Sequence, residues 1–327
     1  MNKKQIPLIL LQNIPLVLFI LILLLFGVLS NRFLQVESLL TITKQASYIG
    51  IVAVGITFVL LTAGIDLSVG SNMYLSAIVA GVLINSYSVP VWLALIACLG
   101  VGFIFGAINA FFITRVKIIP FIVTLATMVA GRGLGLMITE SRAVSFPDSV
   151  VRIGSIQVFE FLPLPIVIFV VVVIFAHVFL KHLQIGRQIY AVGNDIVAAE
   201  KAGINTGRVL ASSYVVCGVL AALGGFISVA QLGIVNAGFG RGDEFDAIAA
   251  AVLGGVSLFG GIGSVFPGTV LGAILIQMVW RGLVFTQVDL YLQPLVFAGI
   301  LFVAVFLDSI KNHYLAKLRR RHIRTDE

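Results

Sequence analysis

The chain has 327 residues, 60% of them hydrophobic and 11% charged. Soluble domains sit near half apolar and a quarter charged, so this chain has too little polar surface to cover a water-facing globule, and the bilayer is its expected solvent. Its formal charge of +7 does not point to nucleic acid, because the basic residues fall in short clusters between apolar runs.

A membrane-spanning helix needs roughly 20 mostly apolar residues. Lys3 and Lys4 precede a long apolar run that resembles a signal peptide. The run ends in Ser30-Asn31-Arg32 without a small-residue cleavage pattern, so it reads as an uncleaved first span. Nine more follow, and the ten spans are placed at about 12–30, 45–64, 67–85, 90–114, 120–138, 163–180, 209–232, 246–259, 264–284 and 291–308. Lipid offers no hydrogen-bond partners, so each is expected to be a helix and the fold all-α. The segments lack the polar stripes a soluble helical solenoid requires. Cys98 and Cys217 each lie inside an apolar run. Neither a disulfide framework nor a metal spacing is available to them, and both read as buried, reduced thiols.

Charge placement sets the expected orientation. With the N-terminus inside, the inner side carries Lys3, Lys4, Arg115, Lys117, Lys181, Arg187, Lys201, Arg208 and the tail residues Lys311, Lys317, Arg319, Arg320, Arg321 and Arg324. The outer side carries Arg32, Lys44, Arg142, Arg152, Arg241 and Arg281, and Arg132 falls within a span. Fourteen against six favours both termini in the cytoplasm, with the basic tail at about 309–327 facing anionic lipid. Two longer connections remain, an outer one at about 139–162 and a cytoplasmic one at about 181–208. Gly102-Phe-Ile-Phe-Gly106-Ala107-Ile108 in span four is echoed by Gly268-Thr-Val-Leu-Gly272-Ala273-Ile274 in span nine. Spans four and nine run in opposite directions, as in an inverted repeat. Gly-xxx-Gly is also common in spans, so spacing leaves repeat and coincidence both open.

Three stretches stand out. In Gly64-Ile65-Asp66-Leu67-Ser68-Val69-Gly70-Ser71, Asp66 is the only acid in the apolar stretch from 45 to 85. A carboxylate there needs a partner, a wet cavity or an interface. It reads as a tight turn, with Gly64 freeing the backbone and Asp66 capping the next helix, or as a helix break on a translocation path. In the cytoplasmic connection, Asn194 is expected to N-cap a short alanine-rich helix, Asp195 to sit at its positive end, and Gly203 to end it before Ile204. Two turns are too short to be stable alone in water. The helix must therefore pack on its own bundle or on a cytoplasmic subunit, with the small Ala198, Ala199 and Ala202 permitting close approach. In the third stretch, Glu244-Phe245-Asp246-Ala-Ile-Ala-Ala leads into Gly254-Gly255-Val-Ser-Leu-Phe-Gly260-Gly261-Ile-Gly-Ser. A short span dissolving into glycines marks either a discontinuous helix on a transport path or close helix packing.

Together these stretches resemble the membrane subunits of bacterial ATP-binding-cassette importers for monosaccharides, of the ribose, xylose and galactose type. That family repeats Gly-Ile-Asp-Leu-Ser-Val-Gly after its second span and Gly-Asn-x-x-x-Ala-Ala-x-x-x-Gly-Ile in its central cytoplasmic loop. It also has Glu-Leu-Asp-Ala-Ile-Ala-Ala before Gly-Gly-x-Ser-Leu-x-Gly-Gly-x-Gly-Ser. The resemblance covers about residues 45 to 308. Departures are Phe245 in place of the usual Leu, and Pro267, which is expected to kink the start of span nine.

The resemblance implies a single permease domain over residues 1–327 in a bacterial inner membrane, with spans two to five and seven to ten related as inverted repeats. Asn194–Ile204 is then a coupling helix. The implied partners are an ATPase subunit that uses ATP and magnesium, a second permease (identical or homologous) and a periplasmic sugar-binding protein.

The chain has no Gly-xxxx-Gly-Lys-Ser/Thr loop of its own and shows no nucleophile–base pair or metal cluster, so it reads as a transport subunit without a bound cofactor rather than an enzyme. His177, His182, His313 and His322 lie near span ends or in the tail and read as interfacial. Ser68, Ser71, Asn72, Asn109 and Gln277 are the expected polar liners of a nearly uncharged path. The rival reading, an ion-driven secondary transporter, rests only on Asp66 and Arg132 as ionisable groups in the spans.

Overall fold

The computed structural model describes residues 14–300 together with residues 302 and 306. Helices α1 (Ile14–Leu29), α2 (Val36–Leu61), α3 (Val69–Tyr87), α4 (Val91–Thr114) and α5 (Pro120–Thr139) come first. After the short α6 (Asp148–Ser155) come α7 (Leu164–His182), α8 (Gln184–Asn194), α9 (Ile196–Lys201) and α10 (Thr206–Leu232). Helices α11 (Asp243–Leu253) and α12 (Val270–Phe285) follow, and residues 293–300 are again helical.

Among the described residues, seven helices are long and apolar enough to cross a membrane: α2, α3, α4, α5, α7, α10, and α12 together with the irregular turn Val265–Thr269 before it. The other three expected spans differ. The first is the shorter apolar helix α1. The eighth is only 11 residues long, starting before the expected position 246 and stopping well short of 259. The tenth, expected at 291–308, lies partly outside the described residues, as do Lys3, Lys4, His313, His322 and the basic tail. Span two begins at Val36 rather than 45, because the polar turn around Glu37 and Ser38 is itself helical.

The core runs around α2, where every residue from Ile49 to Leu61 is buried. Helix α10 packs on α2 and, more extensively, on α4. Small residues allow the close approach: a Cβ added to Gly102 would fall on the Gly218 carbonyl oxygen, and one on Gly106 would meet the Tyr214 carbonyl. The second Gly-xxx-Gly pair serves a different contact. Gly272 approaches the Ala250 carbonyl, and Gly268 lies against Gly254, the residue that caps α11.

The connection from 139 to 162 is structured. Strand β1 (Val144–Ser145) pairs antiparallel with β4 (Ile234–Val235) beyond the end of α10, and β2 (Gln157–Val158) pairs with β3 (Leu162–Pro163). Gly154 of α6 sits directly on the Ala230 carbonyl. The segment is therefore tied to one end of α10.

Candidate functional site

Two helices start inside the bundle. Residues 62–68 leave α2 in a non-helical path before α3 begins, and residues 236–242 do the same before α11. The two N-terminal ends meet: Gly70 has no room for a Cβ, which would collide with the Gly240 carbonyl and with Oε2 of Glu244. Glu244 is only 8% exposed; its Oε1 accepts from Gly242 N at 3.3 Å, and its Oε2 is buried with no hydrogen-bond partner among the described residues. The carboxylate thus lies where the N-terminal ends of two helices converge. Arg132 of α5 ties the region together. Its Nη1 donates to the Phe239 carbonyl at 2.6 Å, and its guanidinium lies 4.6 Å over the Tyr74 ring of α3.

The first break is held by a buried polar chain. Asp66 Oδ1 accepts from Ser68 N at 2.9 Å and from Ser68 Oγ at 2.6 Å. Ser68 Oγ in turn accepts from Asn109 Nδ2 at 2.9 Å, and Asn109 Oδ1 accepts from Thr127 Oγ1 at 2.8 Å. Asn72 Nδ2 donates to the Gly218 carbonyl at 2.8 Å, and Ser71 Oγ donates to the Ser68 carbonyl at the same distance. Asp66 thus bonds two residues ahead, as in an Asx-turn, and does not cap the first turn of α3 as expected. The left-handed residue of this turn is Ala63, not Gly64; Gly64 is instead required because the Tyr214 hydroxyl fills the space of a Cβ. Of the five expected liners, Ser68, Ser71, Asn72 and Asn109 stand together here, buried within this chain's own bundle.

Gln277 lies elsewhere. Together with Asp246 it lines a cavity of about 350 Å³ completed by Tyr48, Arg241, Gly242, Asp243 and Trp280. The cavity lies between α2, the N-terminus of α11 and the second half of α12. Trp280 is held by stacking on Phe297, with ring centroids 4.5 Å apart. The sequence reading missed Tyr48, Arg241, Asp243 and Trp280. Spacing offered a partial signal, since Asp243 precedes Asp246 by three and Trp280 follows Gln277 by three, which puts each pair on one helix face.

The third cluster joins the short helix α9 to the glycine-rich loop. Asp195, not Asn194, is the N-cap: its Oδ1 accepts from Val197 N at 2.9 Å and Ala198 N at 3.0 Å. Asn194 is the last residue of α8, a separate amphipathic helix whose end leaves Asp195 extended and able to cap. Gly203 is left-handed at φ +82, as expected for a helix stop, and Ile204 N closes the turn on the Ala199 carbonyl. Ala198 and Ala202 face outward, whereas Ala199 is buried against the bundle and is not available to a partner.

Just before this helix, Gly193 is wedged between α2 and the glycine-rich loop. A Cβ there would overlap the Leu61 carbonyl and approach Gly261 N. Gly261 N donates to that same Leu61 carbonyl at 2.9 Å, and Tyr190 OH donates to the Gly263 carbonyl at 3.0 Å. Burial pushes the Tyr190 phenol above its usual value, which keeps it a donor. Gly260 and Gly261 are therefore anchored on the α8–α9 junction, whereas Gly254 packs on Gly268 and Gly255 turns the chain left-handed after α11. The break before α12 follows this loop, where Phe266 is extended and the Phe266–Pro267 peptide is cis, the local departure that Pro267 led one to expect.

The family described as "Branched-chain amino acid transport system / permease component" matches residues 38–306. The ribose import permease protein of Haemophilus influenzae is 34% identical over 94% of this chain and 96% of its own length. The fructose import permease protein of Rhizobium meliloti is 33% identical over 90% of this chain and 84% of its own. The D-allose transport system permease protein of Escherichia coli is 34% identical over 87% of each. No solved structure matches the chain.

Proposed function

We propose, because the chain belongs to the family of membrane permease components of substrate transport systems, that it is the permease of an ATP-binding-cassette importer for a monosaccharide or a related small polar solute. The observation that carries this reading is near-full-length similarity to import permeases named for ribose, fructose and allose. The chain is a transport subunit and not an enzyme. ATP and magnesium are used by a separate ATPase subunit, and a periplasmic binding protein delivers the solute.

Several finer features belong to the same reading. The permease forms one domain of about ten spans in the inner membrane, with spans two to five and seven to ten related as inverted repeats and both termini cytoplasmic. It works beside a second permease, identical or homologous. Helix α9, from its cap at Asp195 to Ile204, couples to the ATPase, a role supported by its outward Ala198 and Ala202 and by the contacts of the adjoining Gly193 with the end of α2 and with the glycine-rich loop. The solute passes near the paired helix N-termini, a placement supported by Glu244 and by the cavity of Asp246, Gln277 and Trp280. Ser68 and Asn109 hold the break beneath. Two aligned helix starts and a cavity mixing carboxylates, an amide and an indole suit weak, hydroxyl-directed contacts.

Reconstitution in proteoliposomes tests the assignment. With the ATPase and binding protein present, radiolabelled sugar uptake should require hydrolysable ATP and should ignore imposed proton or sodium gradients. Uptake by this chain alone, driven by an ion gradient, would replace the importer with a secondary transporter.

A further inference from the structure

The glycine-rich loop between α11 and α12 carries large apolar side chains that none of the described residues covers. Phe259 is 89% exposed and Ile262 65% exposed, and Leu258 beside them is exposed as well. The backbone that carries them is hydrogen-bonded into a defined turn. Ser257 N donates to the Ile262 carbonyl at 2.8 Å, Phe259 N donates to Ser257 Oγ at 3.1 Å, and Gly260 N reaches the Ser257 carbonyl at 3.3 Å. Gly261, at φ +69, fixes the turn onto the Leu61 carbonyl and abuts Asn194. The turn thus presents Phe259 at the surface.

Hydrocarbon is a poor occupant for this surface. An irregular loop with free carbonyls cannot face lipid tails, where each unsatisfied group costs several kcal/mol. Its neighbours across Asn194 are the exposed Asp195, Glu200 and Lys201, which belong in water. Ile196 and Val197 at the start of α9, two and three residues beyond the Asn194 that Gly261 abuts, are exposed as well.

We propose that the 257–262 loop is a second docking element for the cytoplasmic ATPase, with Phe259 inserted into an apolar pocket of that subunit beside the α9 contact. This rests on the importer reading given above. A buried aromatic anchor of this kind carries a disproportionate share of interface energy.

The test uses the full complex in membrane vesicles, with a photo-crosslinking phenylalanine analogue at position 259 and, separately, Phe259→Asp and Ala198→Trp. The crosslinker should yield an adduct with the ATPase, identified by mass, and Phe259→Asp should weaken ATPase retention by about tenfold or more at an unchanged membrane level of the chain. An adduct only with lipid or with a second copy of this chain overturns the proposal. If Ala198→Trp releases the ATPase while Phe259→Asp retains it and the analogue at 259 gives no ATPase adduct, the loop proposal fails and the coupling role of α9 stands. Full retention in both variants removes both.

Discussion

At the scale of single residues, Asp66 carries the clearest consequence. Its Oδ1 is the acceptor for both the amide and the hydroxyl of Ser68, at 2.9 and 2.6 Å, and the side chain is buried. Asp66→Ala leaves the buried Ser68 amide without a partner, a loss of about 1–3 kcal/mol. Asp66→Asn keeps an acceptor oxygen and should lose less. The expected order of thermal unfolding temperatures in detergent is wild type, then Asn, then Ala. An alanine variant as stable as wild type would show the Asx-turn to be dispensable. The pair also separates charge from geometry: an asparagine variant that folds and does not transport assigns the carboxylate's charge to the path itself.

At the scale of elements, the α8–α9 junction joins regions far apart in sequence. Gly193 touches the end of α2 just before the break that opens α3 and the loop just before the break that opens α12. A displacement of α9 therefore reaches both breaks through backbone contact alone. Gly193→Val forces a side chain onto the Leu61 carbonyl. It should cut ATP-driven uptake by an order of magnitude while the ATPase, whose docking side chains are untouched, still co-purifies. Gly100→Ala, at a helical site where a Cβ meets nothing within 4 Å, should transport normally. Equal uptake in the two variants would dissolve the link between α9 and the breaks. This junction was only half legible. Gly203 announces its own helix stop, and a short alanine-rich helix announces a packing partner. The capping residue was misplaced by one because Asn and Asp are nearly equal caps, and only the preceding helix, ending at Asn194, decides between them. Ala199 could not be assigned a face, since a six-residue helix is too short for periodicity to speak. The cavity at Gln277 was less legible still, because Tyr48, Asp243 and Trp280 come from three elements separated by most of the chain. The long spans were the most legible part, since hydrophobic length alone specifies them.

At the scale of the molecule, burial divides the helices into two sets. Helices α2, α3, α10 and α12 are largely covered, whereas α4, α5 and α7 turn side chains such as Phe103, Phe111, Val129, Ile174 and Phe175 outward. That outer ring is what hydrocarbon or a second permease would cover, and it leaves the polar connections at the two ends to define sidedness. The 139–162 connection is anchored on the end of α10 by β1 and β4, and its Arg142 and Glu140 pair at 3.0 Å in full exposure. The α8–α9 junction stands at the other end of α10. In the proposed topology α10 crosses once, these two lie on opposite sides, and the excess of Lys and Arg assigns the junction to the inside. Single cysteines can read this directly, because the native Cys98 and Cys217 are both buried and should give little background. Arg142→Cys should react with a membrane-impermeant maleimide in spheroplasts, and Lys201→Cys should react only after the membrane is opened. The reverse pattern would invert the whole molecule and take the ATPase-facing role away from α9. Labelling of both sites in sealed cells would mean that α10 does not span, and would remove the ladder of spans on which the inverted-repeat arrangement depends.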